Sequence, residues 1–216
     1  SVKITFGTGS SLLMNIGERP LLSPSGVVTA IGWVLDGRPT YAFEGITNFT
    51  GATIAWLRDQ LQLIDDVAAT EEIARSVPDN GGVYLVPAFV GLSAPYWRPD
   101  ARAAITGLSP SSTRAHVVRA ALESIAFVVG DVLRVMEADA GLTLQFVQAD
   151  GGAVRNRFVM QCVADVSRRA VRASRLPELS ALGAVFNAML GVGGKTLDDL
   201  RRLPATRGRP FKPASR

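Results

Sequence analysis

Two glycine turns, at residues 7–9 and 150–152, constrain the fold of this chain most, because each directly follows a short apolar stretch typical of a buried strand. The second turn, Asp150-Gly151-Gly152, separates an apolar strand pattern at 144–149 from an apolar helical repeat at 153–166. Glycine lets the backbone approach a ligand, and free N–H groups at a helix start favour an anionic or polar one. The alternative is a tight strand-to-helix connection with no ligand.

The first turn, Gly7-Thr8-Gly9, lies between two strand patterns and is typical of a β-hairpin. Its N–H groups and the hydroxyl of Thr8 suit phosphate oxygens. A hairpin that merely requires glycine is the alternative. Taken together, the two turns predict two sides of one nucleotide pocket.

The remaining periodicity predicts an α/β chain. Strands are expected at 3–6, 12–16, 27–33, 40–44, 81–87, 105–108, 144–149 and 170–173, and helices at 50–64, 70–77, 117–140, 153–166 and 180–190. We expect Gly141 to end the long helix, residues 88–101 to form an ordered loop packed by its aromatic rings, and residues 204–216 to form a flexible, basic Pro/Arg-rich tail after a domain at 1–203.

Composition excludes several classes of protein. The chain has 216 residues, 47% of them hydrophobic and 19% charged, which fits a globular domain with a sizeable core. It has no apolar run of membrane-spanning length and no signal-peptide pattern, so we expect no membrane partner and a cytoplasmic location. The net charge of +4 comes from arginine clusters without interleaved aromatics, so we expect no nucleic-acid partner.

Common catalytic constellations do not stand out in this sequence. His116 begins the long helix, where a capping or packing role is favoured over that of a general base. Cys162, the one cysteine, lies in an apolar stretch and is expected to be buried and inert. The carboxylates form no close cluster, and no GxxxxGK[ST] motif occurs. We therefore expect no catalytic residue and no metal ligand in this chain.

Five segments, taken in order, resemble the C-terminal half of the FGGY carbohydrate kinases. They are residues 5–9, 51–59, 82–89, 91–97 and 150–154, and residues 103–123 are similar to the family's own signature. The Gly-Leu-x-Ala-Pro-Tyr-Trp loop at 91–97 is most similar to members that act on glycerol. The resemblance implies an α/β domain of the ribonuclease-H-like (actin-like ATPase) type, a mixed sheet flanked by helices, as one of two domains with ATP between them.

The resemblance also assigns residues to the nucleotide. The threonine of the first turn would contact the terminal phosphates, and the asparagine four residues after the last glycine would face the same ligand. The residues assigned to ATP or ADP are Gly7, Thr8, Gly9, Gly51, Ala55, Gly152 and Asn156. Ala55 stands where the family usually has glutamine, so one polar contact to the nucleotide is missing.

The resemblance further implies that the other domain holds the catalytic aspartate, the residues that grip the polyol or sugar substrate, and most of the organisation of Mg²⁺. The parent protein would transfer the γ-phosphate of ATP to a primary hydroxyl. This chain alone would bind nucleotide but not catalyse, with Mg²⁺ held mainly through the nucleotide and the N-terminal domain. The alternative is a stand-alone, non-catalytic nucleotide-binding or interaction module derived from such a kinase.

The Ala-Leu-Gly-Ala run at 181–184 is similar to the family's interdomain hinge helix. Small residues there permit close approach of a neighbouring helix. We expect the residues around 181–188 and the face near the first glycine turn to be exposed or used in self-association, which leaves a homo-oligomer open.

Overall fold

Strands and helices alternate along the part of the chain that the structure, a computed structural model, describes: residues 1–176, 179–202, 208 and 210–214. The strands are β1 (Val2–Phe6), β2 (Ser10–Gly17), β3 (Val28–Leu35), β4 (Arg38–Thr47), β5 (Tyr84–Val86), β6 (Ala104–Thr106), β7 (Phe146–Gly151), β8 (Ala170–Ala173) and β9 (Pro210–Phe211). The helices are α1 (Gly51–Asp59), α2 (Thr70–Arg75), α3 (Arg114–Ala140), α4 (Arg157–Ser167), α5 (Leu179–Gly191) and α6 (Leu197–Arg201). Short 3-10 helices at Val67–Ala69 and Gly152–Arg155 precede α2 and α4.

A mixed sheet carries the fold. Its described strands follow the order β3-β4-β2-β1-β7-β8-β9. β1 pairs antiparallel with β2 and parallel with β7, and Phe6 at the end of β1 lies opposite Gly151 at the end of β7. Because parallel strands end at the same edge, this register sets the two glycine turns side by side.

One face of the sheet is buried beneath α3 and α4. The inward side chains of β1 and β2, including Ile4, Phe6 and Leu12, are fully buried in the same core as the apolar stripe of α3. Burying each such side chain stabilises the fold by about 1.5–3 kcal/mol. The opposite face carries polar side chains such as Lys3, Thr5 and Ser11, which alternate with the buried ones.

Local chemistry fixes both ends of α3. Thr113 and His116 form a capping box, in which the Thr113 N–H donates to Nδ1 of His116 over 3.0 Å. Gly141 ends the helix in the left-handed conformation at φ 61°. Both roles confirm the sequence predictions. At Gly130, a Cβ would lie 2.5 Å from Cγ1 of Val166, so glycine lets α3 and α4 pack closely.

Several boundaries differ from the predictions: the helix expected at 50–64 ends at Asp59 in α1, and tertiary pairing decides three others. β7 runs through Asp150 and Gly151, which pair with Thr5 and Phe6, so the glycine turn does not break the strand where expected. The helix predicted at 153–166 is instead a 3-10 turn followed by α4. The strand predicted at 81–87 shrinks to Tyr84–Val86, in which Leu85 alone is buried, since β5 pairs only with β6 within the described residues.

The expected tail at 204–216 contains ordered structure. Pro210–Phe211 form β9 antiparallel to β8, and Phe211 is buried. Burial of this one aromatic ring anchors the segment to the sheet edge. The rest of the predicted tail lies mostly outside the described residues.

Every residue of α5 is at least partly exposed, although the helix is strongly apolar. Val185 and Met189 are among its exposed large side chains. This confirms the predicted exposure around 181–188, while self-association stays a prediction. Among the described helices, none combines the length and the hydrophobicity needed to cross a bilayer.

Candidate functional site

A cavity of about 690 Å³ opens at the sheet edge where β1 and β7 end. Six of the seven residues predicted for the nucleotide line it: Gly7, Thr8, Gly51, Ala55, Gly152 and Asn156. The floor is made by the apolar side chains of Phe6, Ile54, Leu122, Ile125 and Val159. The far wall is formed by Val67, Ala68, Thr70 and Glu71. A mostly apolar lining with a few polar side chains is typical of a small-molecule site.

The β1–β2 turn is held by the start of α1. The N–H groups of Thr50 and Ala52 donate to the carbonyl of Thr8 over 2.9 and 3.0 Å, and the N–H of Gly51 donates to the carbonyl of Gly7 over 3.0 Å. A Cβ at Gly51 would lie 2.7 Å from that carbonyl oxygen. Gly51 is therefore glycine because the turn packs directly against the helix, and its N–H is already engaged there.

The Thr8 side chain is the free polar group of this turn. It is exposed and lines the cavity, and its hydroxyl bonds to no other described residue. Behind it, the buried hydroxyls of Ser10 and Thr50 lie 2.7 Å apart, and Thr47 contacts both residues. The turn thus presents one free hydroxyl, while the buried hydroxyls behind it have hydrogen-bond partners among themselves.

Gly9, which the resemblance assigns to the nucleotide site as a glycine that shapes the loop, does not itself line the cavity. A Cβ there would lie 2.4 Å from the carbonyl oxygen of Thr47, and its own carbonyl accepts the N–H of Gly7 over 2.8 Å. Gly9 instead closes the hairpin turn against the end of β4. Its contribution to the site is the shape of the turn.

The two glycines of the second turn have separate roles. Gly151 adopts φ 93°, and a Cβ there would lie 2.3 Å from the Phe6 carbonyl oxygen, so neither its conformation nor its packing admits a side chain. At Gly152 a Cβ would meet nothing within 4 Å. Because Gly152 lines the cavity, the absence of a side chain there leaves space for a ligand. The packing of the fold does not require glycine at this position.

Asn156 lies in the cavity for a different reason from the one predicted. It is the N-cap of α4, with its Oδ1 accepting the N–H of Val159 over 3.1 Å, and its Nδ2 donates to Oγ1 of Thr70 over 3.2 Å. Gly152 and Asn156 therefore do not share an α-helical face, because a 3-10 turn separates them. The asparagine shapes the wall through its side-chain bonds.

The far wall was not predicted from the sequence. Glu71 accepts from Nε of Arg75 over 3.1 Å and from the N–H of Arg157 over 2.7 Å. The second of these bonds, with the bond from Asn156 to Thr70, joins α2 to α4 across 86 residues of sequence. Neither residue pair belongs to a short motif, and the hydrophilic start Thr70-Glu71-Glu72 indicated only a helix terminus.

Charge is sparse in this cavity. Among the residues that line it, Arg155 and Glu71 carry the side-chain charges, and both oxygens of Glu71 already accept hydrogen bonds. Asp150 is buried beside the turn, with Oδ2 3.1 Å from Nζ of Lys3, and it faces away from the lining. Within the described residues, no three His, Cys, Asp or Glu side chains form a group able to hold a metal ion.

Ala55 lies on α1 at the cavity wall and offers a methyl group there. A side chain that ends in a hydrogen-bonding group would be needed to contact the polar edge of a bound ligand from this position. The structure therefore places Ala55, which stands where the family usually has glutamine, inside the cavity.

Two other expectations concern residues outside the cavity. Cys162 is only partly buried, contrary to the full burial expected, but desolvation raises the pKa of its thiol to about 12, which keeps it protonated and inert at neutral pH. In the aromatic loop, Phe89 stacks on Phe49 with ring centroids 4.6 Å apart, and Tyr96 donates to Oδ2 of Asp131 over 2.6 Å. The loop is thus packed by its rings, as expected.

A mixed sheet flanked by helices, with two turns from neighbouring strands at the rim of one cavity, defines a domain of the actin-like ATPase class. Residues 2–192 match the FGGY family of carbohydrate kinases, C-terminal domain. The chain belongs to this family and corresponds to its C-terminal domain.

Relatives that match much of this chain are glycerol kinases. Glycerol kinase 1 of Thermotoga maritima is 48% identical over 202 residues, which are 93% of this chain and 41% of that protein. Glycerol kinase of Dechloromonas aromatica is 51% identical over 191 residues, which are 88% of this chain and 38% of that protein. The chain thus spans about two fifths of the length of the curated relatives it matches.

Solved structures agree with the fold. Glycerol kinase of Plasmodium falciparum, solved with ADP, superposes with a TM-score of 0.90 at 36% identity, covering 98% of this chain and 42% of that chain. Xylulose kinase of Lactobacillus acidophilus gives a TM-score of 0.84 at 20% identity, covering 99% of this chain and 43% of that chain. The second similarity shows the fold alone.

Proposed function

We propose that this chain is the nucleotide-binding half of an ATP-dependent kinase of glycerol or a related polyol or sugar. The observation that carries the proposal is the cavity lined by the free hydroxyl of Thr8 on one side and by the open position of Gly152 on the other. The glycerol kinase relatives, one of them solved with ADP, support the choice of ligand and substrate.

The ligand lies in the cavity according to the chemistry of its walls. The exposed hydroxyl and unpaired N–H of Thr8 face the terminal phosphates, since hydroxyl and amide donors suit phosphate oxygens. The nucleotide's heterocyclic base lies toward Ala68 and Ala153, over the apolar floor. Arg155, which also lines the cavity, balances part of the negative charge.

Catalysis requires groups that this wall does not supply. Phosphoryl transfer depends on positioning and on charge stabilisation around the γ-phosphate, and the substrate hydroxyl needs a base. Glu71, the carboxylate of the lining, is already bonded through both oxygens. In our proposal a companion domain supplies the base and the polyol site, and Mg²⁺ is held through the phosphates and that domain. We place the parent enzyme in the cytoplasm, where ATP is abundant.

Calorimetry tests the proposal. The chain is titrated with ADP and ATP, alongside Thr8→Val, Gly152→Leu and the control Gly191→Leu. Gly191 also has open space around its Cβ position but lies outside the cavity. We expect Gly152→Leu to abolish binding, Thr8→Val to weaken it about tenfold by removing a hydrogen bond to a charged group, and Gly191→Leu to bind normally. Absence of ADP binding, or binding that survives Gly152→Leu, would refute the site.

The proposed inactivity of the isolated chain needs a separate assay. The chain is incubated with glycerol and Mg-ATP, and glycerol phosphate is measured. We expect no turnover. Turnover above the rate without protein would show that this half carries a catalytic base after all.

A further inference from the structure

A second cavity, of about 400 Å³, lies beyond the far wall of the first. Its lining consists of Arg75, Arg157, Gln161, Pro210, Phe211 and Lys212. Three of these six side chains are cations, whereas the first cavity is largely apolar. β9 completes this cavity, since Phe211 is buried while Lys212 remains exposed.

The positive charge of this second cavity is only partly neutralised. Arg75 forms an ion pair with Glu71, with Nε 3.1 Å from Oε1. The side chains of Arg157 and Lys212 have no hydrogen-bond or ion-pair partner among the residues described here. The acid nearest on α4, Asp165, is bonded to Nε2 of Gln161 and to the N–H of Ala214. An excess of positive charge therefore surrounds the cavity.

The frame of this cavity is ordered by contacts of its own. Nε2 of Gln161 donates to the Lys212 carbonyl over 2.8 Å, which ties β9 to α4. The guanidinium of Arg75 lies over the Phe158 ring, 5.7 Å from its centroid. These contacts fix the Arg75 guanidinium and the backbone of Lys212 before any ligand arrives, and such preorganisation lowers the cost of binding.

We propose that this second cavity binds a small phosphate-bearing anion. The unpaired side chains of Arg157 and Lys212, together with the guanidinium of Arg75, line this cavity. They match a tetrahedral oxyanion by charge and by donor number. Charge-assisted hydrogen bonds to an oxyanion are stronger than neutral ones, so we expect binding at phosphate concentrations on the order of millimolar.

The anion site is coupled to the first cavity through Glu71. Glu71 lines the first cavity and its ion-pair partner Arg75 lines the second, so one ion pair forms part of both walls. An anion that engages Arg75 leaves the Glu71 charge less compensated beside a bound nucleotide, which is itself anionic. The two ligands therefore oppose each other, and each weakens the other by the same factor. This coupling rests on the proposed function, whereas the anion site itself does not.

NMR of the ¹⁵N-labelled chain tests the site. Inorganic phosphate is titrated at constant ionic strength maintained with sodium chloride. We expect saturable shifts of the amides of Arg157, Gln161 and Lys212, with those of Thr8 and Gly152 unmoved. The variant R157A/K212A should lose these shifts, and the charge-matched control R19A/K195A, at exposed positions outside both cavities, should keep them. Shifts that are linear, spread over basic residues generally, or confined to Thr8 and Gly152 would overturn the site.

Calorimetry with ADP in saturating phosphate tests the coupling. We expect the ADP affinity of the wild-type chain to fall on the order of fivefold and that of R157A/K212A to stay unchanged. Unchanged ADP affinity of the wild type would overturn the coupling. Failure of ADP to bind at all would instead contradict the proposed function, and the NMR titration would still decide the anion site.

Discussion

The two turns at the rim of the first cavity are built in opposite ways. The turn at Gly7-Thr8-Gly9 is held by backbone N–H groups of α1 that donate to backbone carbonyls. The turn that ends in Asn156 is held by side chains, through the bonds of Asn156 and Glu71 to groups 86 residues away in the sequence. The first turn is therefore sensitive to a Cβ added at Gly9 or at Gly51, which packs against it, whereas residues 152–156 are sensitive to the loss of particular polar side chains.

Substitution of Gly151 gives the largest expected effect. This residue directly precedes residues 152–156, the side-chain-held wall. Gly151→Ala places a Cβ 2.3 Å from the Phe6 carbonyl oxygen at a φ of 93°, so we expect a loss of unfolding free energy of about 3 kcal/mol or more. Gly152→Ala, one residue on, should change it by less than about 0.5 kcal/mol. Urea unfolding measures both. Equal losses would show that the two glycines share one role.

Gly51→Ala tests the backbone-held turn. Its Cβ would lie 2.7 Å from the Gly7 carbonyl oxygen and would push α1 from the turn, which we expect to destabilise the fold by about 2 kcal/mol. Gly183→Ala, in α5 with nothing within 4 Å of its Cβ, is the control and should be stabilising, by up to about 1 kcal/mol. Thermal unfolding compares them. A stable Gly51→Ala would mean that α1 can shift freely against the turn.

Asn156→Ala tests the side-chain-held wall. The variant loses the N-cap of α4 and the bond to Thr70, so we expect a loss of about 1–2 kcal/mol. Asn156→Asp keeps the capping oxygen but loses the Nδ2 donor, and its loss should be smaller. Urea unfolding of the pair separates the cap from the cross-link. Identical losses would assign the whole effect to the bond with Thr70.

The smallest expected effect is a change in how often α4 opens locally. The reaction rate of the Cys162 thiol on α4 measures this opening. Because burial raises its pKa to about 12, the folded chain should react with a thiol reagent at pH 8 far more slowly than the unfolded chain, in which the thiol has its ordinary pKa. Asn156→Ala should speed the reaction, and Gly51→Ala should speed it less. A faster reaction in Gly51→Ala would reverse the assignment of α4 to the side-chain-held wall.

Much of the cavity was predictable because its glycines are adjacent to strands that are clear in the sequence. The strand patterns indicated the two glycine turns, and the resemblance to the kinase family then assigned both turns to one nucleotide site. Gly9 was predicted to shape the turn, whereas Asn156 lines the cavity without the α-helical spacing from Gly152 that we predicted. The shape of a hairpin turn depends on β4, and the 3-10 turn before Asn156 depends on the register of β7 with β1.

The far wall escaped prediction for a physical reason. Thr70 and Glu71 reach the cavity because α2 packs beside α4, and such packing depends on the whole core rather than on any local pattern. β9 was missed because a two-residue strand has no periodicity to detect. Its proline and the neighbouring arginines indicated a tail, whereas the burial of Phe211 decided the outcome.

The empty space beside Gly152 makes this position suitable for engineering the volume of the cavity. Because a side chain there would enter the cavity without disturbing the backbone, the volume of the site can be reduced in small steps while the fold is conserved. Variants with alanine, serine or valine at 152 form a graded series that can be matched to ligand analogues with correspondingly smaller groups. Ligand choice and folding stability can thus be altered independently at one residue.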